Sequence, residues 1–417
     1  MSNPSLIDFL ASKNSESAAQ DDLVTRALET VRQHLEMDVA YVSEIVDNKS
    51  VFRKVDAPGL EELIKPGDEK SLDDVYCKHI LEGRLPELMP DTSKEPFAAN
   101  MPVTEMIGAH VSVPLRRDNG QVYGMFCCFS AEPKEHLNER DLNITRAFAG
   151  LVAEKIGADL KHSEDYDEKR TRIEHTIANN EMSLVFQPIV DLSTNQPIGF
   201  ESLARFSGQP QRPPNEWFDE ANEVGLGIDL ELRAIRTALE EAASLPDGIS
   251  VSVNASPFVV VDPRFGEVLD GLDLTDIVVE ITEPAQVEDY GALGRALKPL
   301  RNRGLRLAID DAGGGYAGLQ YMLLLHPDII KLDISLTSNV HTNAAKSSLA
   351  SALVLFASQT GAAIIAEGIE TQEELNALKM LGVHRGQGYL LGRPAALVDA
   401  LAMLPADDTP AELGRTA

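Results

Sequence analysis

Residues 306–334, RLAIDDAGGGYAGLQYMLLLHPDIIKLDI, contain two short apolar runs, RLAIDD and IIKLDI, each with acidic residues near its end. Runs of this length, rich in branched aliphatics, read as buried strands. Six more of the same kind flank them. SLVFQPIVDL (183–192), IGFESLARF (198–206), ISVSVNAS (249–256) and IVVEITE (277–283) come before; AAIIAEGI (362–369) and RGQGYLL (385–391) come after. Helical patterns such as IDLELRAIRTALEEAASL and SSLASALVLFASQT lie between most of them. Eight strands with interleaved helices in roughly 230 residues match an α/β fold, a (β/α)8 TIM-like barrel. Only STNQP (193–197) separates the first two runs. That is too short for a crossover helix, so the first strand is expected to pair antiparallel. An open doubly wound sheet, the runner-up, wants a glycine-rich phosphate loop after an early strand, and none is present.

In such barrels the reacting groups sit at the C-terminal ends of the strands. Here those ends carry one polar group after another: Glu201; Asn254; Glu280 and Glu283; Asp310 and Asp311; Lys331 and Asp333; Glu367 and Glu370; then Gln387. Any one of these carboxylates has a bland alternative as a cap or ion-pair partner. Converging on one barrel mouth, however, they repel one another unless cations occupy it. The set has carboxylates and an amide but no histidine or cysteine, which favours Mg2+ or Mn2+ over zinc. Adjacent Asp310 and Asp311 suit two ions with one carboxylate bridging, an arrangement that serves in-line phosphoryl displacement. Lys331, between Ile330 and Leu332, must find a carboxylate whatever its role, because an unpaired buried charge is costly.

The segment resembles an EAL domain, the cyclic di-GMP phosphodiesterase family. The signature triplet stands as Glu201-Ser202-Leu203, with serine in place of the usual alanine. FQPIVDL, VSVNASP, EITE, IDDAGGGYAGL, DIIKLD, AEGIET and QGYLLGRP surround it in family order. The resemblance implies that Glu201, Asn254, Glu280 and Asp310 hold a first metal, and Asp310, Asp311 and Glu367 a second. Lys331 would orient water or phosphate, and Glu367 would also act as general base. Gln187, Leu203, Arg205 and Gln387 would contact the dinucleotide, with Glu283, Asp333 and Glu370 in support. In the loop after the paired aspartates, Ala312, Gly314 and Ala317 replace the family's phenylalanine, threonine and serine. The family uses that loop to couple metal binding to dimerisation, so a homodimer is expected.

Residues 21–156 read as a separate α+β domain. It opens with a helical stripe (Leu23, Ala27, Val31, Leu35) and later holds VSVPLRRDNGQVYGMFCCFS, two strands around the hairpin signal Asp118-Asn119-Gly120. This helix–sheet–helix order resembles a GAF domain, which implies an unidentified small-molecule or redox input. Cys77, Cys127 and Cys128 are the only cysteines, too few for a disulfide framework and in keeping with a reducing compartment. Adjacent cysteines in a strand face opposite ways, so at least one of the pair reads as core filler. Residues 157–177, charged and with no proline, read as a helical connector; 178–405 form the barrel and 406–417 a tail.

Across 417 residues, 37 Lys and Arg stand against 66 Asp and Glu, for a formal net charge of -29. No basic field exists to attract a nucleic-acid polymer or a membrane surface. No run reaches roughly 18 apolar residues, and Met1–Ser15 lacks a signal-peptide pattern, so a cytoplasmic protein is expected. The sequence thus points to hydrolysis of cyclic di-GMP to linear pGpG by a two-metal mechanism. The alternatives are a catalytically silent cyclic di-GMP receptor and an interaction scaffold with no nucleotide role.

Overall fold

A computed structural model describes residues 22–281, 290–312 and 322–405. The chain divides into two compact units, with the division after Asp165. The first contains six antiparallel strands: β1 Val39–Val46, β2 Lys49–Asp56, β3 Glu69–Ser71, β4 Leu88–Met89, β5 Ala109–Arg116 and β6 Val122–Ser130. Their order across the sheet is β3-β2-β1-β6-β5-β4. The expected hairpin joins β5 to β6, with Gly120 at φ +84°, a conformation that favours glycine. One face of the sheet buries the stripe Ala27, Leu28 and Val31 of helix Asp22–His34 and Leu35 just after it, together with Phe148 and Val152. The other packs against helix Tyr76–Leu81. Cys128 belongs to the first face and Cys127 to the second, as strand alternation requires.

Helix Glu139–Ala178 runs 40 residues, through Gly157 without a break. From Tyr166 onward its residues belong to the second unit.

That unit is a closed eight-stranded barrel of β7 Met182–Asp191, β8 Gln196–Phe206, β9 Ser250–Ala255, β10 Ile277–Ile281, β11 Arg306–Ala312, β12 Ile329–Leu332, β13 Ala363–Ala366 and β14 Arg385–Gly386. β7 runs antiparallel to both its neighbours, β8 and β14, and the remaining pairs are parallel. The last strand is much shorter than RGQGYLL suggested. The chain passes so close to its neighbour there that a Cβ on Gly388 would lie 2.2 Å from the Ile369 nitrogen.

Ile189, Val278, Ala308, Ile329 and Ile365, one from each of five strands, pack together as an apolar layer inside the barrel. Larger clusters fill the space between the strands and the surrounding helices. Side chains on a strand repeat with a period of two. Two residues further along the parallel strands stand Glu280, Asp310, Lys331 and Glu367. Two residues earlier on antiparallel β7 stands Gln187. The next inward layer is therefore polar on every one of these strands.

Candidate active site

Lys331 is fully buried, and its ammonium is surrounded by carboxylates from four strands. Its Nζ donates to Glu280 Oε2 at 2.5 Å and lies 2.6 Å from Glu367 Oε1. Glu201 Oε2 and Asp310 Oδ1 are each 3.4 Å away. A buried ammonium without such partners costs several kcal/mol. Burial pushes the lysine's pKa down, but the four carboxylates outweigh it and hold the pKa well above the ordinary value.

The acids divide by environment. Burial acts to raise the Glu201 pKa, yet Lys331 and the amides of Gln387 and Asn254 hold it below the usual range. Gln387 Nε2 donates to Glu201 Oε2 at 2.7 Å, and Asn254 Nδ2 to Glu201 Oε1 at 3.1 Å. Glu280 is pushed up to about 8, first by burial, with Lys331 opposing and the charges of Glu201 and Asp310 adding. Glu367 is also pushed up to about 8, again chiefly by burial. Burial and the neighbouring acids thus favour the protonated forms of Glu280 and Glu367, with Lys331 opposing.

Second contacts fix the ring. Gln387 Nε2 also donates to Gln187 Oε1 at 3.0 Å, and Gln187 Nε2 donates to the Gly392 carbonyl at 3.2 Å. In this arrangement Gln187 orients Gln387. Thr337 Oγ1 donates to the Glu367 carbonyl at 2.5 Å, a partly buried contact that nothing in the sequence pattern flagged. Gly368 follows at φ +60°, where a Cβ would sit 2.3 Å from Ile334 Cγ1, so AEGIE needs its glycine. Asp333 caps the short helix Ile334–Thr337 by accepting from the Ser335 amide at 2.8 Å. Glu370 is exposed, and its amide donates to Glu374 Oε2. The serine in the Glu201-Ser202-Leu203 triplet is accommodated: its hydroxyl donates to the Ser252 carbonyl at 2.7 Å.

A cavity of about 580 Å³ adjoins Asn254 and is lined by Leu203, Arg205, Phe218, Asp219 and Glu231, among others. Arg205 is exposed, and its guanidinium donates to the Ala204 carbonyl at 2.8 Å. The wall from helix Pro214–Glu223 carried no sequence signal, because ordinary helix residues form it. Glu283 and the loop 313–321 lie outside the described residues, as does the side chain of Asp311.

Whether this donor set fits divalent cations can be tested on its unused atoms. Glu280 Oε1, Asp310 Oδ1 and Gln387 Oε1 are buried oxygens that accept no hydrogen bond. Buried oxygens that accept no hydrogen bond suit a hard cation, and of these Asp310 Oδ1 faces the Lys331 ammonium at 3.4 Å. Among the described residues no three His, Cys, Asp or Glu side chains stand ready as a metal cage, because the carboxylates are drawn onto Lys331.

Comparison with known proteins agrees with this fold. Residues 170–394 match the family model for the EAL domain, and residues 17–156 match that for the GAF domain. A Pseudomonas aeruginosa protein named "Cyclic di-GMP phosphodiesterase PA2567" is 33% identical over 51% of this chain and 38% of its own length. An uncharacterized Sinorhizobium fredii protein, y4lL, is 29% identical over 72% of this chain and 37% of its own. The chain thus spans little more than a third of either relative. The solved "PaMucR Phosphodiesterase, c-di-GMP complex" superimposes with a TM-score of 0.51 at 24% identity, over 56% of this chain and all of that one. The cGMP-bound EAL enzyme Bd1971 gives 0.55 at 20% identity, over 88% of this chain and 93% of that one. Both likenesses bear on the fold alone. With more than half of its length matched by one model, the chain belongs to the EAL-domain family, with a GAF domain preceding the barrel.

Proposed function

We propose that the barrel is a metal-dependent phosphodiesterase that opens cyclic di-GMP to linear pGpG, under control of the GAF domain. The observation that carries this reading is the polar layer at the C-terminal barrel mouth, with its three buried oxygens that accept no hydrogen bond. Relatives 33% and 31% identical are named as a cyclic di-GMP phosphodiesterase and a probable one.

Glu201, Asn254, Glu280 and Asp310 would hold one Mg2+ or Mn2+ ion, and Asp310, Asp311 and Glu367 a second. When bound, the ions supply charge neutralisation at the phosphate and a nucleophile near neutral pH. The protein's own share is orientation and proton transfer. Gln387 and Asn254 each hold one oxygen of Glu201. Lys331 keeps the acids gathered against their mutual repulsion. Glu367, directly after β13 with its carbonyl held by Thr337, is in its ionised form the base that takes the proton from the attacking water. Arg205 and Leu203, on the cavity wall, meet the dinucleotide, the guanidinium taking a phosphate oxygen pair.

Incubating the purified chain with cyclic di-GMP and Mg2+, followed by chromatography, tests the proposal. Formation of pGpG that stops on chelation supports it. Tight binding of cyclic di-GMP without turnover would instead favour the receptor reading.

A further inference from the structure

The face of the GAF-domain sheet opposite the long helix has a polar cluster in an otherwise apolar core. Cys77, on helix Tyr76–Leu81, and Cys127, on β6, bring their sulfurs to 3.9 Å although 50 residues separate them. The Ser112 hydroxyl lies 2.9 Å from Cys127 Sγ, and the Tyr41 hydroxyl stands beside both thiols. All four residues are buried. Simple core filler has no need of a hydroxyl on either side, and burying such groups is unfavourable unless they bond one another. Cys128, next in the chain, points to the opposite face among the cluster that includes Leu28 and Val42.

We propose that Cys77 and Cys127 are an oxidisable pair, converted by a hydroperoxide into an intramolecular disulfide. The Cys77 thiolate attacks the outer peroxide oxygen, breaking the O–O bond. This gives a sulfenic acid and an alcohol, the thiol's proton going to the departing alkoxide. The Cys127 thiol then displaces the sulfenic oxygen as water and forms the S–S bond. Two thiols lose two electrons and two protons, and the peroxide takes them up as alcohol and water. Bonds from Cys127, Tyr41 and Ser112 hold the Cys77 pKa below its ordinary value despite burial, whereas burial pushes Cys127 up. Cys77, on the short helix rather than in the sheet, is the sulfur that meets the oxidant, and these bonds favour its thiolate. To bond, the sulfurs must close by about 2 Å from their present separation. Helix Tyr76–Leu81, six residues long with no side-chain cap at its N-terminus, is the element that moves and admits the oxidant.

The test treats the full chain with hydrogen peroxide, then maps peptides by mass spectrometry without reduction. The expected result is a loss of about 2 Da, reversed by dithiothreitol, with Cys77 and Cys127 in one linked peptide pair. Cys128→Ser should react as the parent does, whereas Cys77→Ser should form no intramolecular bridge. If Cys77→Ser does not fold, the peptide map of the parent chain still decides. Three free thiols after both peroxide and diamide treatment would overturn the proposal. So would a bridge that uses Cys128 or one that joins two chains.

Discussion

Lys331 and Glu367 carry the sharpest consequences at the scale of single residues. Replacing Lys331 with Met keeps the volume but leaves Glu201, Glu280, Asp310 and Glu367 facing one another without their shared cation. Breaking a buried ionic cluster in this way costs about 3–5 kcal/mol. Urea unfolding should show that loss in metal-free protein, and Mg2+ should restore part of it. Glu367→Gln keeps the shape and removes the proposed base. Turnover should fall on the order of a hundred- to ten-thousand-fold while cyclic di-GMP binding by calorimetry changes far less. Near-normal turnover would assign the proton to another group. The acids also set a pH dependence. Glu280 and Glu367 sit at about 8 in the folded chain, against roughly 4.3 for a free glutamate. Between those limits the folded state binds more protons than the unfolded one, so these groups make metal-free stability fall as pH rises toward 8. A cation must displace the same protons, so Mg2+ affinity should climb from pH 6.5 to 8.5 with proton release. Calorimetry in buffers of different ionisation enthalpy measures both, and pH-independent affinity without proton release would contradict the buried-acid assignment.

Elements explain why some of these positions were legible in the sequence and others were not. A strand alternates its faces, so once eight apolar runs were recognised, Glu280, Asp310 and Glu367 fell on one inward layer, whereas Asp333 caps a helix and Glu370 is exposed. Glu280, Asp310, Lys331 and Glu367 each stand two residues beyond an interior aliphatic. Thr337 and helix Pro214–Glu223 left no such trace, because contact with the site comes from the folding of loops and helices around the barrel. That helix does two jobs. Phe218 and Asp219 line the cavity, whereas Glu220 is buried on the other side between Arg172 and Arg212, at 2.7 and 2.5 Å. Arg172→Ala should therefore loosen the cavity wall without touching the acids. The expected kinetic outcome is a KM rise of about threefold to tenfold with kcat nearly kept, from a loss on the order of 1 kcal/mol in a partly exposed pair. A kcat loss at constant KM would place the effect in the chemistry instead.

For the molecule as a whole, the charged run 158–177 does more than the helical connector its sequence suggests. Several partners of its charged residues lie about fifty residues away in sequence. Lys169 pairs with Glu223, Arg172 with Glu220, and the Tyr166 hydroxyl donates to the Val224 carbonyl. Ile173 is fully buried in a cluster with Trp217, Ala221, Val224 and Leu230. Long-range pairs of this kind have no local periodicity to reveal them, so the barrel's edge was drawn at 178 when its packing begins near Tyr166. The consequence is a specific difference between two truncations. A chain starting at Ala158 retains every one of these contacts and all eight strands, and should fold with the barrel's full stability. A chain starting at Ala178 loses Ile173 and uncovers the Trp217 cluster, a change comparable to emptying a core position and worth about 2–4 kcal/mol. It also leaves Glu220 with Arg212 alone and frees the helix that walls the cavity. Urea unfolding of the two barrels should therefore separate them, with the shorter one less stable and weaker in nucleotide binding. Equal midpoints and equal affinities would mean that residues 166–177 are a spacer after all.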